Sequence, residues 1–338
     1  MRAYVATFVI LVCGVSSAVT AIVLFLTTGI KVPETYWAAA INEKKLAQVS
    51  RIPGPKIVIV GGSNAHFGLR ADMIEAATGR PAFNLATHFG LGPAYLFFLA
   101  KPMLHRGDIV ILPFEYDAYL GNAPLLNKLN VSVSYSRGLG YFWHLGLLDE
   151  IQYFREISLH QVWTAAMIRL GLEPAPQRAV EGYQPATSDR WGDETETANT
   201  AVPTDNIVDF EHRICPAPFV PNATGIAELR RFVDWTKANG IELLATWPNV
   251  LADSCEAEAP FKATVASVRA LYRELGVTLI GTPQQATLPL ELMRDSVYHP
   301  TVRGAELRTE RFVKELCAET SLCGEGGTAR ASAPPGVR

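Results

Sequence analysis

Five cysteines are spread over 338 residues, and no two of them form a Cys-x-x-Cys pair. That spacing argues against a structural zinc site. A Lys/Arg cluster is also missing, and a formal net charge of −3 offers no electrostatic footprint for nucleic acid. No internal repeat is visible, so solenoids and propellers are set aside. No charged residue occurs from Ala3 to Ile30. Charge of 19% and hydrophobic content of 49% over the whole chain describe a folded protein with a sizeable core.

The uncharged N-terminal run is long enough to cross a bilayer as a helix. Val15-Ser16-Ser17-Ala18 could mimic a signal-peptide cleavage site, but the apolar run continues through Val23-Leu24-Phe25-Leu26. A cleaved signal has a shorter apolar core, so residues 1–31 read as an uncleaved signal anchor. Only Arg2 precedes the span while Lys31, Lys44 and Lys45 follow it, and this count gives no support for an outside domain. Outside the span, Cys215, Cys255, Cys317 and Cys323 make an even set. They permit two disulfides in an oxidising compartment, and equally read as four free thiols.

Residues 32–55 read as a tether carrying one helix (Tyr36–Val49), with Tyr36-Trp37 suited to a membrane interface. From Lys56 the composition changes. Ile57–Val60 is an apolar β-branched run stopping at Gly61-Gly62, the pattern of a buried strand ending in a tight turn. A helix over Arg70–Thr78, a strand over Ala82–Ala86, a helix over Pro93–Leu104 and a strand over Ile109–Leu112 follow. Fully apolar strands alternating with helices predict a parallel sheet covered on both faces. Residues 121–220 break this rhythm. Two aromatic-rich helices within Tyr141–Leu170 and a polar surface loop over Glu173–Asn206 read as an insertion, either a lid or decoration. The rhythm returns with a helix over Ile226–Asn239, a strand over Ile241–Thr246, a helix over Phe261–Leu275, a strand over Val277–Ile280 and a final helix over Gly304–Leu316. The core is thus expected over 56–120 and 221–323, with a disordered tail over 324–338.

Ser63 closes the glycine turn. A serine at the carboxyl end of a buried strand stands where open α/β sheets place their chemistry, although Gly-Gly-Ser by itself also reads as an ordinary turn. A nucleophilic serine needs a base, and the base needs a carboxylate to fix its tautomer. Among seven histidines, His144 and His160 fall in the insertion, His66, His88 and His105 lie early, and His212 adjoins the surface loop. His299 follows the last strand, four residues after Asp295, and can converge on the same sheet edge. Ser63, His299 and Asp295 can fill the three roles; an Asp-x-x-x-His near a chain end is also commonly structural.

The blocks Gly61-Gly62-Ser63-Asn64, the glycine-bearing turn at His88–Gly92 and Asp295-Ser296-Val297-Tyr298-His299-Pro300 resemble the SGNH (GDSL-type) hydrolase superfamily, over about Lys56–Tyr119 and Ile226–Leu316. Asn64 follows the serine, Gly62 stands where that family has an Asp, and the last block carries one extra residue, as in membrane-anchored relatives that handle envelope polysaccharides. The resemblance implies a three-layer α/β/α sandwich, flavodoxin-like, and a Ser-His-Asp triad for acyl transfer with no metal or cofactor. The family's oxyanion hole joins the serine N–H, a glycine N–H of the second block (Gly90, with Gly92 next) and an Asn of the third block. Here Glu115 of Leu112-Pro113-Phe114-Glu115-Tyr116 occupies that Asn position. An ionised carboxylate would repel an oxyanion. Either Asn64 or Asn84 supplies the donor, Glu115 is protonated, or the protein is a weakened or inactive relative; alternatively Glu115 is a structural group bonding loop backbone near the site.

The function expected is an exported O-acetyltransferase or acetylesterase on an envelope or secreted polysaccharide, anchored in the cell membrane with a periplasmic or extracellular soluble part. Its partners would be an acylated sugar and a multi-spanning membrane O-acyltransferase. A lipid or small-ester esterase and a non-catalytic glycan-binding scaffold are the rivals. Trp143, Trp163, Trp191 and Trp247 are candidates for sugar stacking or for core.

Overall fold

The computed structural model describes residues 2–121, 125–177, 180–195, 218–252 and 259–323. The expected tail over 324–338, His212, and both Cys215 and Cys255 lie outside them. The chain divides into two compact units, Met1–Ala39 with Leu126–Ala179, and Ala40–Leu125 with Val180–Arg338.

The second unit is the α/β core. Its elements in chain order include the later half of α2 (Tyr36–Val49), β1 (Ile57–Ile59), α3 (Ser63–Gly68), α4 (Ala71–Thr78), β2 (Ala82–Asn84), α5 (Pro93–Ala100), β3 (Ile109–Pro113) and α6 (Asp117–Leu120). After the residues of the first unit, in which α7 (Lys128–Ser136), α8 (Leu147–Glu156) and α9 (Leu159–Arg169) lie, the core resumes. It continues with α10 (Thr224–Ala238), β4 (Glu242–Thr246), β5 (Val250–Leu251), α11 (Ala259–Glu274), β6 (Thr278–Ile280), α12 (Pro283–Ala286), β7 (Thr287–Leu288) and α13 (Val302–Glu319). Five strands form a parallel sheet in the order β2-β1-β3-β4-β6, and β5 pairs with β7 alongside.

Every residue of β1 and β3 is buried, as a parallel sheet covered by helices on both faces demands. Side chains alternate across it. Ile57, Ile59, Ile109, Ile111 and Leu244 cluster with Ile74 of α4 and with Phe312 and Leu316 of α13. On α5 and α10, Phe97 stacks on Phe232 at 4.2 Å, a pair worth about 0.5–1.5 kcal/mol beyond its burial. At the amino ends of β1 and β3, the buried Lys56 ammonium meets the buried Asp108 carboxylate at 2.9 Å. Asp108 also accepts from the N–H groups of Lys56 and His105, so its charge is compensated twice over.

Two sequence-based expectations need correction here. The stretch expected as a tether is no free linker: Ile41, Lys45 and Val49 of α2 are buried. The expected insertion is not one piece, because residues 180–195 belong with the core. They are also not a surface loop. Asp193 is buried and accepts from Ala71 N (2.9 Å) and Asp72 N (3.1 Å), satisfying the first turn of α4. Gly192 adopts φ +77°, and a Cβ there would meet Asn84 O at 2.4 Å, so only glycine lets this loop lie against β2.

In the first unit, α1 (Arg2–Thr27) is exposed and long and apolar enough to span a membrane. The helices α7 and α9 pack along it. Helix α7 opens with a capping box of Asn127 and Asn130 and α9 with one of Ser158 and Gln161. The Asn-Lys-Leu-Asn start of α7 went unread because its apolar content is low.

Candidate functional site

In the sheet, β1 is followed outward by β2 on one side and by β3 on the other. The topological switch point therefore lies between the carboxyl ends of β1 and β3, where open α/β sheets form their crevice. Ser63 follows β1 and Glu115 follows β3, so both flank it. Ser63 opens α3 and is 7% exposed. The turn before it is tight: a Cβ on Gly62 would sit 2.5 Å from Phe89 Cβ and 2.6 Å from Glu115 Oε1. Glycine at 62 thus lets the serine turn approach the carboxylate.

The Asp-x-x-x-His block comes from the segment before α13. His299 Nδ1 lies 2.6 Å from Asp295 Oδ1. A carboxylate only accepts, so Nδ1 carries the proton and Nε2 is left as the basic nitrogen. Burial pushes the Asp295 carboxyl up, but the hydrogen bond and charge of His299, with Arg294, outweigh it and hold the group below its ordinary value. The His299 ring packs on Phe67 at 4.6 Å, and Phe67 belongs to the helix that Ser63 opens. Arg294 sits over the same Phe67 ring and 3.9 Å from Asp295 Oδ2. His299 and Asp295 are thus tied to the helix that Ser63 opens. Among the described residues Ser63 and His299 form no hydrogen bond; the Ser63 hydroxyl instead contacts the Glu115 carboxyl and the Tyr183 phenol.

The expected oxyanion donors turn out differently. Gly90 N–H donates to His88 Nδ1 at 3.0 Å, and Gly92 N–H donates to Phe89 O at 2.8 Å. Asn84 Nδ2 donates to Ala65 O (3.0 Å) and Leu69 O (2.9 Å), which tether α3 to β2. Asn64 Nδ2 donates to Pro113 O (3.1 Å) and to Glu115 Oε1 (2.8 Å). Each amide has only two such protons, so Asn84 and Asn64 are fully spent on structure. Hydrogen-bond donors cannot be counted from residue type, because what matters is where each N–H already points.

Glu115 is buried, and its Oε1 takes the Asn64 N–H at 2.9 Å as well as the Asn64 amide. Burial raises its pKa from 4.5 to about 7, against the pull of the Asn64 bonds, with Asp117 adding to the rise. Near pH 7 it is therefore about half protonated, and with Oε1 already taking both Asn64 hydrogens the proton of the neutral form falls to the other oxygen, Oε2. That oxygen is a donor, which an ionised carboxylate could not be.

Tyr183 was missed in the sequence, lying in a polar stretch without periodicity. The buried Tyr183 ring stacks on His66 at 5.1 Å and meets Phe67 edge-on at 5.3 Å. Burial first, then the nearby Glu115, pushes its phenol well above its ordinary value, so it stays a neutral donor. What holds it is a polar thread. His66 Nε2 lies 2.7 Å from Gly182 O and must carry the proton, since a carbonyl only accepts. His66 Nδ1 then accepts from Lys45 Nζ at 2.8 Å, and Lys45 also donates to Ala86 O at 2.6 Å. Burial, reinforced by Lys45, drives the His66 pKa well down, consistent with a neutral ring. Gly182 has φ +76°, and a Cβ there would collide with Arg294 and Phe67. An aromatic preceded by glycine inside a polar run was the one available signal.

Of the stacking candidates, Trp247 is core, its Nε1 donating to Gly281 O at 3.1 Å. Trp191 is half-buried under Arg190, and Trp143 and Trp163 are exposed in the first unit.

No protein-family model matches the chain, and no curated protein matches it. Among solved structures it is similar to the crystal structure of protein YxiM from Bacillus subtilis, with a TM-score of 0.37 and 13% identity. The match covers 79% of this chain and 57% of that one.

Proposed function

We propose that this chain is a membrane-anchored serine enzyme of ester chemistry, an O-acetyltransferase or acetylesterase acting on an envelope or secreted polysaccharide. The observation that carries the reading is the Asp295–His299 pair, bonded at 2.6 Å and packed on the helix that Ser63 opens at the switch point. In this mechanism Ser63 turns to a rotamer facing His299 and attacks the acyl carbon. Its proton passes to His299 Nε2, and the carbonyl electron pair moves onto oxygen. The same turn frees the Glu115 acid and the Tyr183 hydroxyl, which with the Ser63 N–H then face the oxyanion in place of the family's Asn. His299 returns the proton to the departing alkoxide. Water or a sugar hydroxyl, deprotonated by His299, finally takes the acyl group from Ser63. Asp295 keeps Nδ1 protonated throughout.

The disulfide between Cys317 and Cys323 supports an oxidising compartment, and α1 supplies the anchor. A multi-spanning membrane O-acyltransferase is the partner that would deliver acyl groups to Ser63. One finding favours a rival, a non-catalytic glycan-binding module: the N–H groups of Gly90, Asn64 and Asn84 are all committed within the protein.

The full chain in detergent, given a chromogenic acetyl ester and an acetylated oligosaccharide, decides between them. Acetate release and fluorophosphonate labelling are expected to fall by roughly 10⁴-fold or more in Ser63→Ala. Equal behaviour of wild type and Ser63→Ala on both substrates and with the label would sink the enzyme reading and leave the binding module.

A further inference from the structure

We propose that the helices α8 and α9 lie on the same bilayer that α1 spans, seated in its interface by an apolar face of their own. Apart from α1 and residues 143–172, Leu290 is the one exposed large hydrophobic among the described residues. Everything else of that kind is concentrated in this stretch. On α9, Leu159 (88% exposed), Trp163 and Leu170 stand at positions that fall within about 40° of one another on a 3.6-residue helix. The opposite face, Gln161, Thr164 and Ala165, is buried. On α8, Leu147, Leu148 (81% exposed) and Ile151 are exposed while Tyr153 is buried. Trp143 just before α8 and Leu172 just after α9 extend the same exposed set. A soluble surface scatters such residues singly, and a concentration of them marks an interaction site.

Lipid is the occupant because this surface is continuous with α1. Helix α9 packs along α1. Arg169 at its end donates to Thr28 O and to Leu26 O (3.3 Å), the carbonyls at the carboxyl end of α1, and lies 5.0 Å from the Phe25 ring. Gly29 N–H bonds to Tyr135 O in the last turn of α7 at 2.8 Å, and His160 sits 3.2 Å from Glu34. These contacts fix α9 at the point where α1 leaves the hydrocarbon. Tryptophan and leucine displayed at that depth suit the headgroup boundary. Within residues 143–172, Arg155 and Arg169 stand against Asp149, Glu150 and Glu156. There is no basic excess, so the seat is apolar and needs no anionic lipid.

The inference rests on α1 being a membrane anchor. The test uses the full chain in phosphatidylcholine vesicles, with some lipid brominated on its acyl chains as a short-range quencher of tryptophan. Trp143→Phe/Trp163→Phe keeps an aromatic at two exposed positions and leaves the fold intact. The lipid-quenchable share of emission is expected to fall to roughly half or less in that variant, since both rings sit at lipid depth, and to be unchanged by adding phosphatidylglycerol. An unchanged share overturns the seat. Aqueous iodide quenching the two rings would place the face in water; protection from both quenchers would place a protein over it. Either overturns the lipid seat alone. A chain that does not float with the vesicles removes the anchor and the seat together, whatever the outcome of the Ser63 assay.

Discussion

Replacing Glu115 by Gln isolates the charge of one buried carboxyl while preserving its shape. The folded protein raises this pKa from 4.5 to about 7 through burial. A carboxyl whose folded pKa is raised holds its proton more tightly when folded, so its contribution to stability is lost as pH rises from about 4.5 through about 7. The shift corresponds to about 3 kcal/mol at pH 8. Glu115→Gln carries no such penalty and can still accept the Asn64 N–H and amide at Oε1. Thermal melting of the full chain in a mild detergent, compared between pH 5 and pH 8, is therefore expected to show a larger drop for wild type than for the variant. The same substitution bears on catalysis. Wild-type turnover should decline above about pH 7 as the donor proton is lost, whereas Glu115→Gln keeps an N–H donor and should flatten that alkaline limb. Glu115→Ala loses the donor at every pH, at a cost of about 10²–10³ in rate. Parallel melting profiles for wild type and Glu115→Gln, together with an unaltered alkaline limb, would refute the reasoning, because Glu115 would then not titrate between pH 5 and pH 8.

Two further substitutions probe separate parts of the molecule. Tyr183→Phe keeps the ring packed on His66 and Phe67 but removes the hydroxyl beside Ser63; kcat should fall by about 10–10² with KM little changed, as for a donor used in the transition state. A drop confined to KM would assign Tyr183 to ground-state binding instead. Asp108→Ala strands the buried Lys56 ammonium at the opposite end of the sheet and should destabilise the fold by about 3–5 kcal/mol, read from unfolding, without altering the pH profile of activity.

The strands and the helices of the α/β core were legible because apolar burial leaves a trace in sequence. Ile57-Val58-Ile59 and Ile109-Val110-Ile111-Leu112 are buried on both faces and read as unbroken runs. The sequence reading placed Asp295 and His299 together, and they are bonded. Polar burial leaves no such trace. Residues 180–195 have little apolar content, yet Asp193 caps α4, and Thr187 donates to the buried Glu194 at 2.7 Å. Lys45 resembled a tether residue because a buried lysine is indistinguishable from an exposed one until its acceptors, here Ala86 O and His66, are known. That Gly90, Asn64 and Asn84, expected as possible donors, already donate within the protein was hidden for the same reason. Which acceptor an N–H faces is set by tertiary geometry.

Asn64, which follows the serine, and Glu115, which follows β3, belong to one arrangement. A carboxyl introduced alone beside the serine would be ionised or unsatisfied, and either state is unfavourable in a buried site. Asn64 removes that difficulty by placing two donors, its N–H and its amide, on the same oxygen of Glu115. An oxygen holding two incoming hydrogens has little capacity for a third, so a proton bound by Glu115 is directed to Oε2. Burial, outweighing those two bonds, holds the proton there until the pH approaches about 7. The result is a neutral O–H donor near Ser63, formed from a residue type that at first sight excludes oxyanion binding. Asn64 selects the oxygen that bears the proton, while its two bonds favour the ionised form and burial has to outweigh them.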